Sequence, residues 1–161
     1  MRAARGRGAA ALLAAVVGGL LAGAGPAAAS VTPGEWWNGA YEGYCLAGDD
    51  AGRAFLGECD GTPNQRWNSP TLEGEPGSVG AVFAMQNKAT GECLTGAADG
   101  GVTTAACTYD DTQGWVGGSL LVNRATGLCV AAESPTELRQ VTCDPEYLHD
   151  DQRWYPAEVG P

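Results

Sequence analysis

The chain has 161 residues, with 9 Lys+Arg against 19 Asp+Glu and a formal net charge of −10. So acidic a balance repels phosphate backbones and anionic lipid, which argues against nucleic acid and membrane surfaces as partners. The acids are scattered and no D-x-D-x-D-G loop of the calcium-binding type occurs, so they read as a solvated surface, with no metal and no cofactor expected.

The chain opens with Arg2, Arg5 and Arg7, followed by an apolar run from Ala9 to Leu21 that Gly25-Pro26 breaks. Ala27-Ala28-Ala29 supplies a small-residue cleavage site. Residues 1–29 therefore read as a secretory signal peptide and Ser30 as the start of the exported chain. The apolar run is short of the ~20 residues that a bilayer span needs. No Cys follows it, which leaves a lipoprotein anchor unsupported. Removing three Arg leaves 6 bases against 19 acids, a formal charge of −13. Residues 30–161 are predicted to form a single secreted domain of 132 residues with one core.

Within that domain the apolar stretches are short. In chain order they are Trp36-Trp37, Ala54-Phe55-Leu56, Ala81 to Met85, Leu120 to Val122 and Gln140-Val141. Gly, Asn or Asp interrupts the sequence every few residues, the pattern of strands in an all-β domain, and no amphipathic helix of three turns is visible. The adjacent Trp36 and Trp37 should point to opposite faces of their strand, one inward and one partly exposed. Ser69-Pro70 to Gly80, rich in Pro, Gly and Glu, reads as a surface loop.

Six Cys lie after the signal, where disulfides persist. Cys45 to Cys59, Cys93 to Cys107 and Cys129 to Cys143 each span 14 residues, so one unit is repeated three times. Each first Cys follows a similar segment: Asn38-Gly39-Ala40, Asn87-Lys88-Ala89 or Asn123-Arg124-Ala125, then Gly43, Gly91 or Gly127. That is a tight turn with Gly supplying a positive φ angle. After each second Cys comes a Gln-x-Trp: Gln65-Arg66-Trp67, Gln113-Gly114-Trp115 and Gln152-Arg153-Trp154. The first Cys residues lie 48 and then 36 residues apart, and the surplus falls in the Ser69–Gly80 loop. A three-residue insertion is placed in repeat three, within Pro145 to His149. The repeats run approximately over 36–68, 81–117 and 118–155.

Three Gln-x-Trp motifs in register with three Cys pairs resemble the ricin B-type lectin β-trefoil in its compact secreted form. The segment Cys59-Asp60-Gly61-Thr62-Pro63-Asn64-Gln65-Arg66-Trp67 is very similar to the family motif. The resemblance spans Trp36 to Tyr155 and implies an all-β fold, a β-trefoil of three pseudo-threefold repeats. Physically, three indoles related by such an axis fill a shared core. Each Gln is too polar to bury unpaired, so its amide should bond the backbone of its own repeat. Pairing within each repeat, Cys45–Cys59, Cys93–Cys107 and Cys129–Cys143, closes loops of about 15 residues, worth ~3 kcal/mol each.

The resemblance also implies carbohydrate binding, one shallow site per repeat. Sugar-binding members carry an Asp two residues after the first Cys, and here stand Ala47, Thr95 and Ala131. Their stacking aromatic, two residues before the second Cys, is replaced by Gly57, Ala105 and Val141. The sugar-contacting Asn before the Gln survives only as Asn64, against Thr112 and Asp151. Repeat one is therefore the candidate site, with Asn64 and Gln65, Asp49 or Asp50 as a substitute carboxylate, and Tyr44 or Tyr41 as a stacking face. Tyr in a short strand equally suits half-buried packing, and Asn64 equally suits a turn.

Two functions follow. One is a lectin-like module that binds glycan through rearranged groups. The alternative is a protein-interaction module, its partner another secreted or cell-surface protein, on a trefoil that has lost its sugar sites. An enzyme is not expected. His149 is the sole His and reads as an exposed loop residue, no nucleophile motif accompanies it, and the disulfides leave neither a free thiol nor a zinc cluster.

Overall fold

A computed structural model describes residues 34–157, so the predicted signal peptide lies outside the described residues. The fold is a β-trefoil. Repeat one contributes strands β1 (Trp36–Asn38), β2 (Tyr44–Gly48), β3 (Ala54–Glu58) and β4 (Trp67–Asn68). An extra hairpin follows, β5 (Thr71–Glu73) and β6 (Val82–Phe83). Repeat two holds β7 (Gln86–Asn87), β8 (Cys93–Gly96), β9 (Val102–Ala105) and β10 (Trp115–Val116). Repeat three holds β11 (Val122–Asn123), β12 (Cys129–Ser134), β13 (Glu137–Val141) and β14 (Trp154–Pro156). The helical elements among the described residues are two 3₁₀ turns, Pro63–Gln65 and Asp150–Gln152.

Pairing repeats as the sequence does. The last strand of each repeat joins the first strand of the next, with Trp67 opposite Asn87, Trp115 opposite Asn123, and Trp154 opposite Asn38. The third pairing closes the ring by joining β14 to β1. Within repeats, Trp37, Gln86 and Val122 face Cys45, Cys93 and Cys129. All three predicted disulfides are formed, with Cα separations of 5.0, 5.0 and 4.9 Å. Gly43, Gly91 and Gly127 hold the expected positive φ, at 81°, 74° and 69°.

The core is built in threefold sets: Trp36, Met85 and Leu121; Leu46, Leu94 and Val130; Ala54, Val102 and Leu138; Trp67, Trp115 and Trp154. The three motif tryptophans are 2%, 0% and 0% exposed. Above them the β2–β3, β8–β9 and β12–β13 hairpins form a cap whose backbone bonds also run in a ring. Leu56 donates to Pro135, Thr104 to Gly52 and Gln140 to Gly100, at 2.7 to 2.9 Å. Trp36 packs inward while Trp37 is partly exposed and stacks on Tyr155, as the alternation of a strand requires.

Two expectations need correction. Ser69 to Gly80 is exposed, but it is more than a loop. Its first half forms β5, which returns through turns to β6, and β6 pairs with β10 in a six-stranded sheet, Phe83 opposite Trp115. The apolar run Ala81 to Met85 is a strand only at Val82–Phe83, because Ala84 and Met85 turn inward to the core.

Candidate functional site

The Gln-x-Trp motif builds the same clamp three times. Each indole N–H donates to the carbonyl of the residue after the first Cys: Trp67 to Leu46 at 2.9 Å, Trp115 to Leu94 at 3.1 Å, Trp154 to Val130 at 2.9 Å. Each Gln spans the second half-cystine. Gln65 accepts from the Asp60 amide at 2.9 Å and donates to the Glu58 carbonyl at 2.6 Å. Gln113 accepts from Thr108 and Tyr109 and donates to Ala106, and Gln152 accepts from Asp144 and donates to Thr142. Buried backbone groups need such partners, and the amide supplies a donor and an acceptor at once. The turn Asn then ties neighbours together, Asn87 Nδ2 donating to the Asn64 carbonyl, Asn123 to Thr112 and Asn38 to Asp151, at 2.7 to 2.8 Å.

This clamp covers the positions where the resemblance puts a sugar site. Ala47 and Ala131 are fully buried. The Thr95 hydroxyl donates to the Cys93 carbonyl and accepts from Gln113 Nε2. A Cβ on Gly57 would stand 2.9 Å from Gln65 Nε2, so a stacking ring there would displace the clamp.

The repeat-one candidates are distributed along the hairpin rather than gathered. Tyr44 begins β2, half-buried and packed on the core, and Asp49 follows its other end, five residues or roughly 16 Å away. Tyr41 also packs on the core and donates its hydroxyl to the Glu133 carbonyl. Asp49 is engaged by its own turn. It accepts from the amides of Ala51 and Arg53 at 3.0 Å and pairs with the Arg53 guanidinium at 2.6 Å. Asp50 is exposed at the tip. Gln65, at 3% exposure, has both ends of its amide bonded to backbone. Asn64 is half-exposed, and its side chain meets the Thr62 hydroxyl.

Several carboxylates are held below their ordinary range, each by local bonds. The backbone amide and guanidinium of Arg53 lower Asp49. The hydroxyl and amide of Thr62 lower Asp60, and the hydroxyls of Thr112 and Thr108 lower Asp110. Desolvation opposes ionisation of Asp144, but the amides of His149, Glu146 and Leu148 outweigh it. All four are turn-builders kept charged, unsuited to donating a proton near neutrality. His149 lies exposed in the repeat-three insertion, and no group of metal-ligating side chains occurs among the described residues.

Open concave surface lies elsewhere, around the extra hairpin. A seam groove of about 600 Å³ between repeats one and two is lined by Asn68, Ser69, Pro70, Gln86, Lys88 and Tyr109, with Trp67 beneath. Tyr109 is 46% exposed and has a φ of 58°, in the left-handed region that bulky side chains rarely adopt. Its amide bond to Gln113 Oε1, 3.0 Å, fixes it there. A second groove, of about 420 Å³, lies where β5 and β6 approach β1 and the Gly117-Gly118 turn. Its floor is Phe83, stacked on Trp36 with centroids 5.9 Å apart. Neither groove figured among the sequence candidates. The signals available were the surplus length between repeats one and two and the Tyr two residues after Cys107, where repeat one has Gly61.

No family model matches the sequence. No curated protein matches it either. Solved structures do resemble the fold. A designed threefold-symmetric protein, ThreeFoil, aligns at a TM-score of 0.63 and 18% identity over 78% of this chain and 97% of its own. The Polyporus squamosus lectin, solved with a human-type influenza-binding epitope, aligns at 0.56 and 16% identity over 78% of this chain and 49% of its own. An exo-β-1,3-galactanase from Clostridium thermocellum aligns at 0.62 and 16% identity over 78% of this chain and 30% of its own. The chain thus spans nearly all of the designed protein but less than half of the other two.

Proposed function

We propose that this chain is a secreted, non-catalytic carbohydrate-binding module of the ricin B-type, exported by residues 1–29 and folded as one domain over 30–161. Its ligand contact sits at the seam of repeats one and two rather than on the hairpin face of each repeat. The observation that carries the reading is Tyr109, a half-exposed ring held in a left-handed backbone conformation beside the polar side chains of Asn68, Gln86 and Lys88. A flat ring flanked by amide, hydroxyl and ammonium groups suits a sugar, whose one face is apolar and whose rim is hydroxylated. Within repeat one, Asp50 is exposed and Asn64 half-exposed, so both keep surface that a ligand could reach.

Glycan-array screening followed by calorimetry tests this. A stoichiometry near one is expected, with affinity lost in Tyr109→Gly and retained in Asn64→Ala. The reverse pattern would move the site to the repeat-one hairpin. A different observation favours the protein-interaction reading: Tyr147 and Leu148, 47% and 74% exposed, stand side by side on the repeat-three insertion. Protein partners from the secretome, lost in Leu148→Asp and accompanied by no glycan hit, would support that reading instead.

A further inference from the structure

Ser69 lines both grooves. Asn68 to Pro70 walls the seam groove above Trp67, and Ser69 with Thr71 walls the groove beside Phe83, so the segment joining β4 to β5 is a common flank. That flank, from Trp67 to Thr71, is on the order of 13–16 Å long at the rise of an extended chain. We infer that the two grooves form one continuous track that takes a linear, uncharged oligosaccharide, with one ring at Tyr109 and a later ring over Phe83. The inference rests on the carbohydrate-binding reading and makes its ligand a chain rather than a single terminal sugar.

Three observations define the chemistry. First, the second groove has an aromatic floor and a hydroxyl rim. Phe83 is half-exposed over Trp36, and the hydroxyl residues Ser69, Thr71 and Ser78 border it. Its size lies in the range of sites that enclose a small ligand. Second, Gly117 is where the backbone meets the Phe83 ring on the side of Cε1 and Cζ, away from the Trp36 stack. A Cβ there would stand 2.4 Å from the ring, so this position needs Gly for the floor to form. Third, the track carries little charge. No carboxylate lines either groove among the described residues, and Lys88 is the one basic side chain. With 19 acidic against 9 basic residues, the chain's net negative charge disfavours a polyanion.

The extra hairpin is what creates the second groove. Repeats two and three are joined without one, and the first-Cys spacing there is 36 residues rather than 48. Threefold symmetry therefore does not multiply the track.

Calorimetry over length series, disaccharide to hexasaccharide, tests the inference with neutral β-1,3-, β-1,4- and α-1,4-glucans, mannans and galactans, and with oligogalacturonate as the charged counterpart. Affinity should rise about tenfold along the neutral series that binds, equivalent to about 1.4 kcal/mol from the second ring contact. Gly118→Phe should abolish that rise while leaving the disaccharide affinity unchanged. Gly118 borders the groove without a positive φ, and a Cβ there meets nothing within 4 Å, so the variant fills the groove without straining the fold. Val79→Asp, at the fully exposed rim, should have the same effect. Tyr109→Gly should weaken every length, and Tyr147→Gly none. A length-independent affinity, or a rise that survives both Gly118→Phe and Val79→Asp, overturns the track and leaves the seam site standing. Tighter binding of oligogalacturonate overturns its neutral character. Failure of every saccharide at every length overturns the carbohydrate reading itself and the track with it.

Discussion

The interior of this trefoil and its surface treat the threefold repeat differently. Inside, the indole bonds of Trp67, Trp115 and Trp154 differ by 0.2 Å at most, and the Asn clasp that joins each repeat to the next is formed three times. At the surface, equivalent positions diverge. Two residues after the second Cys, Gly61 and Tyr109 share a positive φ, 72° and 58°, yet one carries no side chain and the other walls a groove. The interior is constrained by buried polar groups that each need a partner, so every repeat reaches the same solution. The surface is free of that constraint, and new features accumulate there without disturbing the frame.

The strongest way to break the comparison is to unbalance the interior. Trp67→Ala, Trp115→Ala and Trp154→Ala should each cost about 3–5 kcal/mol, because each removes a buried indole from the same shared core. Urea unfolding of the three variants should give similar losses. One variant near neutrality would show that its repeat carries little of the core.

Much of that interior was legible in the sequence, and the reason is physical. The disulfide pairs, the buried Trp and the backbone-bonded Gln are each dictated by residue type and spacing. The candidate site was less legible. Gln65 reads in the sequence as a ligand contact yet lies 3% exposed with both amide ends bonded, because a residue that serves the clamp has the same identity as one that serves a sugar. Asp49 and Tyr44 are neighbours in sequence but lie at opposite ends of β2, a separation that follows from strand geometry once the strand is known. The grooves depend on where an exposed hairpin folds back, and polar loop composition does not encode that.

A smaller effect probes how tightly the repeats interlock. Gly96 lies where Asn123 and Gln140 of repeat three press on repeat two, and a Cβ would stand 2.8 Å from Asn123 Nδ2 and from Gln140 Oε1. Repeat three has Ala132 at the equivalent position, buried and accommodated. Gly96→Ala should therefore cost about 1–3 kcal/mol by overpacking. A stability unchanged in thermal unfolding would mean that the clasp has slack.

Acid should weaken all three repeats together. Asp60, Asp110 and Asp144 stand in the loops that follow the second Cys of repeats one, two and three, and Asp49 adds a second such group in repeat one. Their folded pKa values lie below the ordinary 3.8, so the stability they contribute is complete above that value. It is lost as the pH falls through the lower folded values. The unfolding temperature should accordingly be flat from neutrality to about pH 5 and fall below about pH 4. Asp60→Asn, Asp110→Asn and Asp144→Asn should each make that fall shallower. A midpoint that drops between pH 5 and 7 would point to other groups.

The smallest expected change is the sharpest on what the surface is for. A left-handed backbone costs an L-residue about 1–2 kcal/mol, and Gly adopts it freely. Tyr109→Gly restores the residue that repeat one uses, so it relieves that strain. The greater freedom of Gly in the unfolded chain takes back about 0.5–1 kcal/mol, leaving a net gain of up to about 1.5 kcal/mol. Tyr147, at a φ of 56° in the repeat-three insertion, should respond in the same direction. Gly61→Tyr imposes the same strain on repeat one and should be destabilising by a similar amount. Chemical denaturation of the three variants resolves the signs. Tyr109→Gly raising stability while lowering glycan affinity would show a ring kept at the expense of the fold, the mark of a residue held for binding. If Tyr109→Gly is instead destabilising, the ring packs usefully where it lies, and its left-handed conformation owes nothing to a ligand.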